Sequence, residues 1–317
     1  MPFRRIYNSI SLPETTAIIY MTLSSLFAAL FAFFSKLGVE ELPFSLLLFL
    51  RFFIPLVIIV PIFLANGAYK KFHQIHNLGF QVLRAFVELI CQYSFFAYLL
   101  NGSLLLATLF WSSAPLFMPL FYRWFHGYRS DKANIIAILV GLIGVVCILK
   151  PDKGIFDPFS LVGVVVAITS ALSQILNGIN RERHTNEENL VYFFTLTSVL
   201  SFFPLGLVAL FYMTDMQRES TAAALQEFNN WIPLIAISIS TILIQTFRGI
   251  AYKHVKPLYL GPLLYLAIPF SGLIEYWVFG IVPDFLSVIG TILIILSSFV
   301  TRAKKTDNTN TVASKIK

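Results

Sequence analysis

The 317-residue chain is 57% hydrophobic and only 12% charged, with a mean hydropathy of +0.77, whereas soluble domains carry about 25% charged residues. So little polar surface excludes a cytosolic enzyme, a nucleic-acid binder, a disordered chain and a small disulfide scaffold. The net charge of +7 then reads as the orienting charge of a polytopic membrane protein, and no nucleic-acid partner is needed to explain it.

A helix needs about 20 mostly apolar residues to cross the hydrocarbon core. Ten such runs follow one another, approximately Ala17 to Phe34, Pro43 to Leu64, Leu78 to Leu100, Ser103 to Phe125, Ala133 to Leu149, Leu161 to Ile179, Leu190 to Met213, Ile232 to Tyr252, Leu258 to Phe279 and Phe285 to Thr301. The sixth follows Asp157-Pro158, a cap with a proline in the first helical position, and Ser130-Asp131 and Pro283-Asp284 precede the fifth and tenth. Arg4 and Arg5 precede the first run as in a signal peptide, but its apolar stretch is longer than a typical h-region, so a retained helix is expected. Cys91 and Cys147 lie deep in apolar runs, where a thiol behaves as a small hydrophobe. They predict neither a disulfide framework nor a metal site.

With ten alternating spans, sixteen of the 23 lysines and arginines fall on the side of the N-terminus, from Arg4 to Lys317. The other side holds Lys36, Lys150, Lys153 and Arg218, while Arg51, Arg84 and Arg248 stay inside spans. The positive-inside rule therefore predicts cytoplasmic termini in a cell (inner) membrane. The expected organisation is a cytoplasmic segment 1–16, membrane units 17–150 and 151–301, and a polar, disordered cytoplasmic tail 302–317.

The two units repeat. Ala97-Tyr98 followed by Pro115 recurs at an offset of 154 as Ala251-Tyr252 followed by Pro269, and at that offset Trp111 meets Tyr265. With one gap, Gly127 and Asp131 meet Gly280 and Asp284. Each unit holds an odd number of spans, so the halves sit in opposite orientations. Such inverted repeats give inward-open and outward-open packings of similar energy around a central site, which is alternating access.

Further residues carry a family resemblance. Ser35-Lys36, Pro43 and Phe49-Leu50-Arg51-Phe52-Phe53 come first, then Leu83-Arg84-Ala85, then Ala107-Thr108-Leu109 with Ala114-Pro115-Leu116-Phe117, and finally Gly141 and Gly144. In that order they resemble the EamA-type drug/metabolite transporter (DMT) superfamily over nearly the whole chain. The resemblance implies a monomeric all-α membrane protein of ten transmembrane helices, built as two inverted five-helix repeats around a central cavity, that exports or exchanges small metabolites. The chain departs from the family where a glutamate is common after the fourth-span and ninth-span prolines; Tyr128 and Val282 stand there instead. Its first three spans are also similar to S-adenosylmethionine carriers of intracellular bacteria.

A charge at the bilayer centre costs roughly 2.5–3.5 kcal/mol on insertion scales. Each charge inside a span therefore needs a partner, water or a function, and Arg51, Arg84, Glu88, Arg248 and Glu275 qualify. Arg84 and Glu88, four apart, share a helix face. They form either an ion pair that orders the third span, with Arg84 snorkelling to the cytoplasmic edge, or a proton or cation site at Glu88 tuned by Arg84. Glu275 is either hydrated near the far interface or a ligand for a substrate amine or proton. Arg51 matches the family's arginine, as a helix pin or a substrate contact, and Arg248 reads as an interface anchor.

Ser170, Ser173, Gln174 and Asn177 recur at helical spacing as one polar stripe, which in lipid must face protein or a wet cavity. Trp111 and Tyr265, each four residues before its proline, either form facing aromatic walls of a site or pack. Pro115 and Pro269 are expected to free carbonyls within their spans. The expected substrate-binding set is Trp111, Gln174, Asn177, Tyr265 and Glu275, with Arg84, Glu88 and Arg51 as coupling or ion-pair residues.

No GxxxxGK[ST], HExxH, GxSxG or CxxC sequence occurs, and His73-x-x-His76 lacks further ligands. Neither catalytic residues nor a cofactor or metal are expected. The chain reads as a secondary transporter of a small polar metabolite, amino-acid-like, nucleoside-like or S-adenosylmethionine-like, working with protons or a counter-substrate among membrane lipids. The competing readings are a lipid-acting membrane enzyme, which needs reactive groups clustered at one interface, and an assembly or sensor protein, which needs no polar stripe.

Overall fold

The computed structural model describes residues 12–38, 44–65, 78–101, 110–111, 113–127, 132–149, 160–181, 185–211, 221, 223, 225–280 and 285–303. Its main elements are Leu12–Gly38 (α1), Phe44–Ala65 (α2), Leu78–Asn101 (α3), Ala114–His126 (α4), Lys132–Leu149 (α5), Ser160–Arg181 (α6), Asn186–Phe211 (α7), Phe228–His254 (α8), Pro257–Leu264 (α9), Ala267–Phe279 (α10) and Phe285–Ala303 (α11). The caps expected at Ser130-Asp131, Asp157-Pro158 and Pro283-Asp284 lie outside the described residues, as do His73, His76, Tyr128 and Val282.

The helices are dressed for lipid rather than water. On α3, Val82, Leu83 and Phe86 are exposed while Gln81, Arg84, Glu88 and Gln92 are buried. Exposed aliphatic residues recur on α2 at Val57, Ile58 and Ile62 and on α11 at Ile292, Ile295 and Leu296. In water such a surface would drive aggregation. Six stretches among the described residues are long and apolar enough to cross a membrane: Pro13–Ser35, Ser45–Ala65, Leu161–Arg181, Asn186–Gly206, Phe228–His254 and Pro257–Val278.

The ninth apolar run is two helices, not one. Pro269 has no N–H to offer the carbonyl of Tyr265, which instead accepts from Ile268 N at 3.0 Å, while Tyr265 N and Leu266 N bond to Pro262 O and Leu263 O. Pro115 sits equally early in α4, behind a turn in which Ser113 N bonds to Phe110 O at 3.1 Å. Both prolines therefore occupy the first turn of a new helix, where a missing N–H costs nothing. The two prolines, expected within their spans, thus stand at helix starts. The helices α4 and α10 share more: each has 13 residues and closes on a left-handed glycine, Gly127 at φ 63° and Gly280 at φ 68°. Three residues before each glycine stands an exposed tryptophan, Trp124 and Trp277, the side chain favoured at membrane–water interfaces.

Packing brings the two parts of the chain together helix by helix. The helix α1 lies along α8 and α6 along α3, α4 packs on α6 and α10 on α1, α2 faces α7, and α5 faces α11. Each of these pairs joins residues 12–149 to residues 160–303. The interior of the bundle is therefore the seam between them.

Candidate functional site

Helix α3 lays one polar face along that seam. Gln81, Arg84, Glu88 and Gln92 follow at spacings of three and four, so they stack on one side of the helix. Toward the end of α3, Arg51 of α2 donates through Nη1 to Gln92 Oε1, and Gln92 Nε2 donates to Glu88 Oε1 at 2.8 Å. The other carboxylate oxygen accepts from Ser173 Oγ of α6 at 2.6 Å. Glu88 is thus held by neutral donors from both parts of the chain.

Toward the start of α3, Arg84 turns away from Glu88. Its Nη1 donates to Asn189 Oδ1 of α7 at 3.1 Å and its Nη2 to Gln245 Oε1 of α8 at 2.8 Å. Its guanidinium also lies 4.2 Å over the Phe193 ring. Arg84 is only 2% exposed, so the direct pair with Glu88 does not form and the side chain does not snorkel. Amides hold this end because each can donate and accept at once. Asn189 Nδ2 donates to Asn177 Oδ1 at 3.0 Å, Gln81 Nε2 to Asn189 Oδ1 at 3.3 Å, and Asn180 Nδ2 to Gln81 Oε1 at 3.1 Å. Tyr252 OH of α8 donates to Gln174 Oε1 at 2.8 Å.

The predicted residues fall in different places. Arg51, Arg84, Glu88, Gln174 and Asn177 all lie in this buried polar region. Trp111 touches it indirectly: its ring meets Phe31 edge-on at 5.9 Å, and the Arg51 guanidinium sits 4.1 Å over that same Phe31 ring. Tyr265 is not a cavity wall, since it is fully buried, donates to Ile138 O at 3.3 Å, and presses its ring against Gly141. Glu275 lies on α10, but its side chain is outside the described residues. Arg248 is buried, which corrects its reading as an interface anchor.

The sequence reading missed Gln81, Gln92, Asn180, Asn189, Gln245 and Tyr252. For α3 a signal was present, because Gln81 and Gln92 extend the Arg84 and Glu88 face at the same spacing that revealed the α6 stripe. Among the described residues the buried charges are the guanidinia of Arg51, Arg84, Arg181 and Arg248 and the carboxylate of Glu88. No three His, Cys, Asp or Glu side chains among them gather to hold a metal ion. The arrangement sets one buried carboxylate and four guanidinia among neutral amides and hydroxyls.

Comparison with known proteins gives this geometry its context. Residues 15–150 match the EamA-like transporter family. A pseudopaline exporter of Pseudomonas aeruginosa is 26% identical over 195 residues, 61% of this chain and 64% of that protein; the chain therefore spans 64% of the length of that relative. An S-adenosylmethionine uptake transporter of Rickettsia felis is 25% identical over 247 residues, 78% of this chain and 79% of that protein. A solved crystal structure shares the fold, with TM-score 0.72 and 20% identity over 91% of this chain and 97% of its own.

Proposed function

We propose, for a chain whose residues 15–150 match the EamA-like transporter family, that it is a secondary transporter of a small polar metabolite working by alternating access. Ten spans form two inverted five-helix repeats, with both termini cytoplasmic in a cell (inner) membrane. The observation that carries the reading is the Ser173–Glu88 hydrogen bond. A buried carboxylate of the first repeat is held by a helix of the second, at the surface across which the repeats must move against each other. Protonation of Glu88 alters the two hydrogen bonds it accepts, and so couples a proton to the packing of α3 on α6. Exchange with a counter-substrate is the other driving force open to the same site.

The candidates are S-adenosylmethionine and pseudopaline, which the relatives' names supply, together with amino-acid-like and nucleoside-like metabolites. Their names give opposite directions, so flux is measured both ways. In proteoliposomes at least one labelled candidate moves, faster with a pH gradient; no flux for any class overturns transport. Glu88→Gln keeps the hydrogen-bonding shape and is expected to abolish the pH dependence while the protein still folds. Flux of the variant that is still driven by pH removes Glu88 from the mechanism.

A further inference from the structure

Three of the four buried guanidinia gather where α6 ends, α7 begins and α8 nears its end. Arg84 bonds to Gln245, three residues before Arg248 on α8. Arg181 donates through Nε to the carbonyl of Gly249, the residue after Arg248, at 2.8 Å. Arg84 is within electrostatic reach of both Arg248 and Arg181. Like charges held together away from water repel unless a counter-charge joins them. Glu88 is a counter-charge to Arg84, but its two oxygens accept from Gln92 and Ser173 and form no hydrogen bond to a guanidinium. Glu188, within reach of Arg181, accepts from the backbone N–H of Thr185 at 2.9 Å, at the start of α7. Two donors are left over: Arg84 Nε and Arg248 Nε are buried with no hydrogen bond among the described residues. A buried donor without an acceptor is a cost that a native structure keeps for a reason.

A way in lies beside them. A cleft lined by Tyr122, Gly178, Tyr252, Lys256 and Pro257 opens at this end of the bundle. The Lys256 ammonium stands there, 5.7 Å over the Tyr122 ring. Tyr252 forms a wall of the cleft, hydrogen-bonded to Gln174 and within electrostatic reach of Arg248 and Arg84. The cleft holds little more than a water molecule, and Tyr252 is the wall that links it to the guanidinia.

We propose that Arg84 and Arg248 form an anion-binding site behind Tyr252, which takes the carboxylate or phosphate group of the transported solute. The identification of that group with a solute rests on the transport reading; the site itself does not. The Nε–H of a guanidinium donates a charge-assisted hydrogen bond to either anion, and the cation at the cleft draws an anion toward the two of them. Arg248 is the residue to vary, because Arg84 also holds Asn189 and Gln245 in place. An acidic lipid headgroup offers the same chemistry, so the experiment separates the two sources.

The full chain is placed in phosphatidylcholine nanodiscs and titrated with succinate or inorganic phosphate at constant ionic strength, with the thermal midpoint reporting binding. The wild type and Arg248→Lys should both be stabilised. Arg248→Gln should need at least tenfold more of either anion for the same shift, while unfolding without anion no earlier than the wild type. Equal responses in all three proteins overturn the site. A parallel series contains phosphatidylglycerol and no soluble anion. If that lipid alone gives the Arg248-dependent shift, and soluble anions add nothing to it, the assignment to a solute is overturned. Anion binding that depends on Arg248 in a protein showing no flux sinks the transport reading and keeps the site; flux without such binding does the reverse.

Discussion

Helices α3 and α8 stand at matching places in the chain, offset by 154 residues, and each lies along a helix from the other part, α6 and α1 respectively. Their contents are opposite. Where α3 has Gln81, Arg84, Glu88 and Gln92, α8 has Ile235, Ser238, Ile242 and Thr246. The α3–α6 contact is made by Glu88 on Ser173 and Gln81 on Asn180. The α8–α1 contact is made by rings, with Phe247 against Tyr20 and Phe27 at 5.7 Å each, and by Ser24 Oγ donating to Ile244 O at 3.3 Å. At these four matching positions α3 carries two charges and α8 none, although α8 buries Gln245 and Arg248 elsewhere. The difference is an argument that the charges of α3 serve more than the packing of the two helices.

The largest effect should come from breaking that asymmetry at Arg84. Arg84→Ala leaves the carbonyl oxygen of Gln245 without its donor and removes one of the donors to Asn189, in a region closed to water. Each of these two hydrogen bonds from a charged group contributes about 1.5–3 kcal/mol. Ser238→Ala, at the paired position, loses only a hydroxyl bonded to Leu234 O within its own helix, for which about 1 kcal/mol or less is expected. Denaturation of the two variants in lipid nanodiscs compares them directly. Equal losses would show that Arg84 is no more structural than its counterpart.

The frame was legible in the sequence and the partners were not, for a physical reason. Apolar runs mark where lipid will be, so the extents of α2, α3, α5 and α6 follow from composition to within a residue or two. The break at Tyr265 and Leu266 was hidden because it interrupts no apolar run and lies a turn before Pro269. In the site, spacing along α3 put Arg84 and Glu88 on one face, but reports only on that helix. The amides of Asn189 and Gln245 arrive from α7 and α8 and take the guanidinium, and Ser173 takes the carboxylate. Tyr265 was a candidate because it pairs with Trp111 in sequence. Its place against Gly141 depends on how closely α5 approaches, which no single helix reveals.

An intermediate effect tests the contact that the two parts share on equal terms, α5 against α11. A Cβ on Gly144 would lie 2.6 Å from the carbonyl oxygen of Gly290 and 3.0 Å from Ile294 Cγ1. The nearest atom is backbone and cannot rotate aside, so small residues are what allow this approach in lipid. Gly144→Val should lower stability by about 1–3 kcal/mol through overpacking. Gly206→Val, where nothing stands within 4 Å, should cost much less of this kind, and the difference between their unfolding midpoints measures the closeness of the seam.

The smallest effect is the one that should be the same in both parts. Gly127 and Gly280 end α4 and α10 in left-handed backbone, each donating its N–H back to the helix, to Arg123 O at 2.8 Å and Tyr276 O at 3.0 Å. An added Cβ would meet nothing within 4 Å at either place. Its penalty is then purely conformational, roughly 1 kcal/mol for an alanine forced to positive φ. Among the described residues an added Cβ packs against nothing at either position, so Gly127→Ala and Gly280→Ala should lower the unfolding midpoint by the same amount and leave anion binding at Arg248 unchanged. A clear inequality between them would mean that the two caps carry different loads, and that the likeness of α4 and α10 ends at their backbone angles.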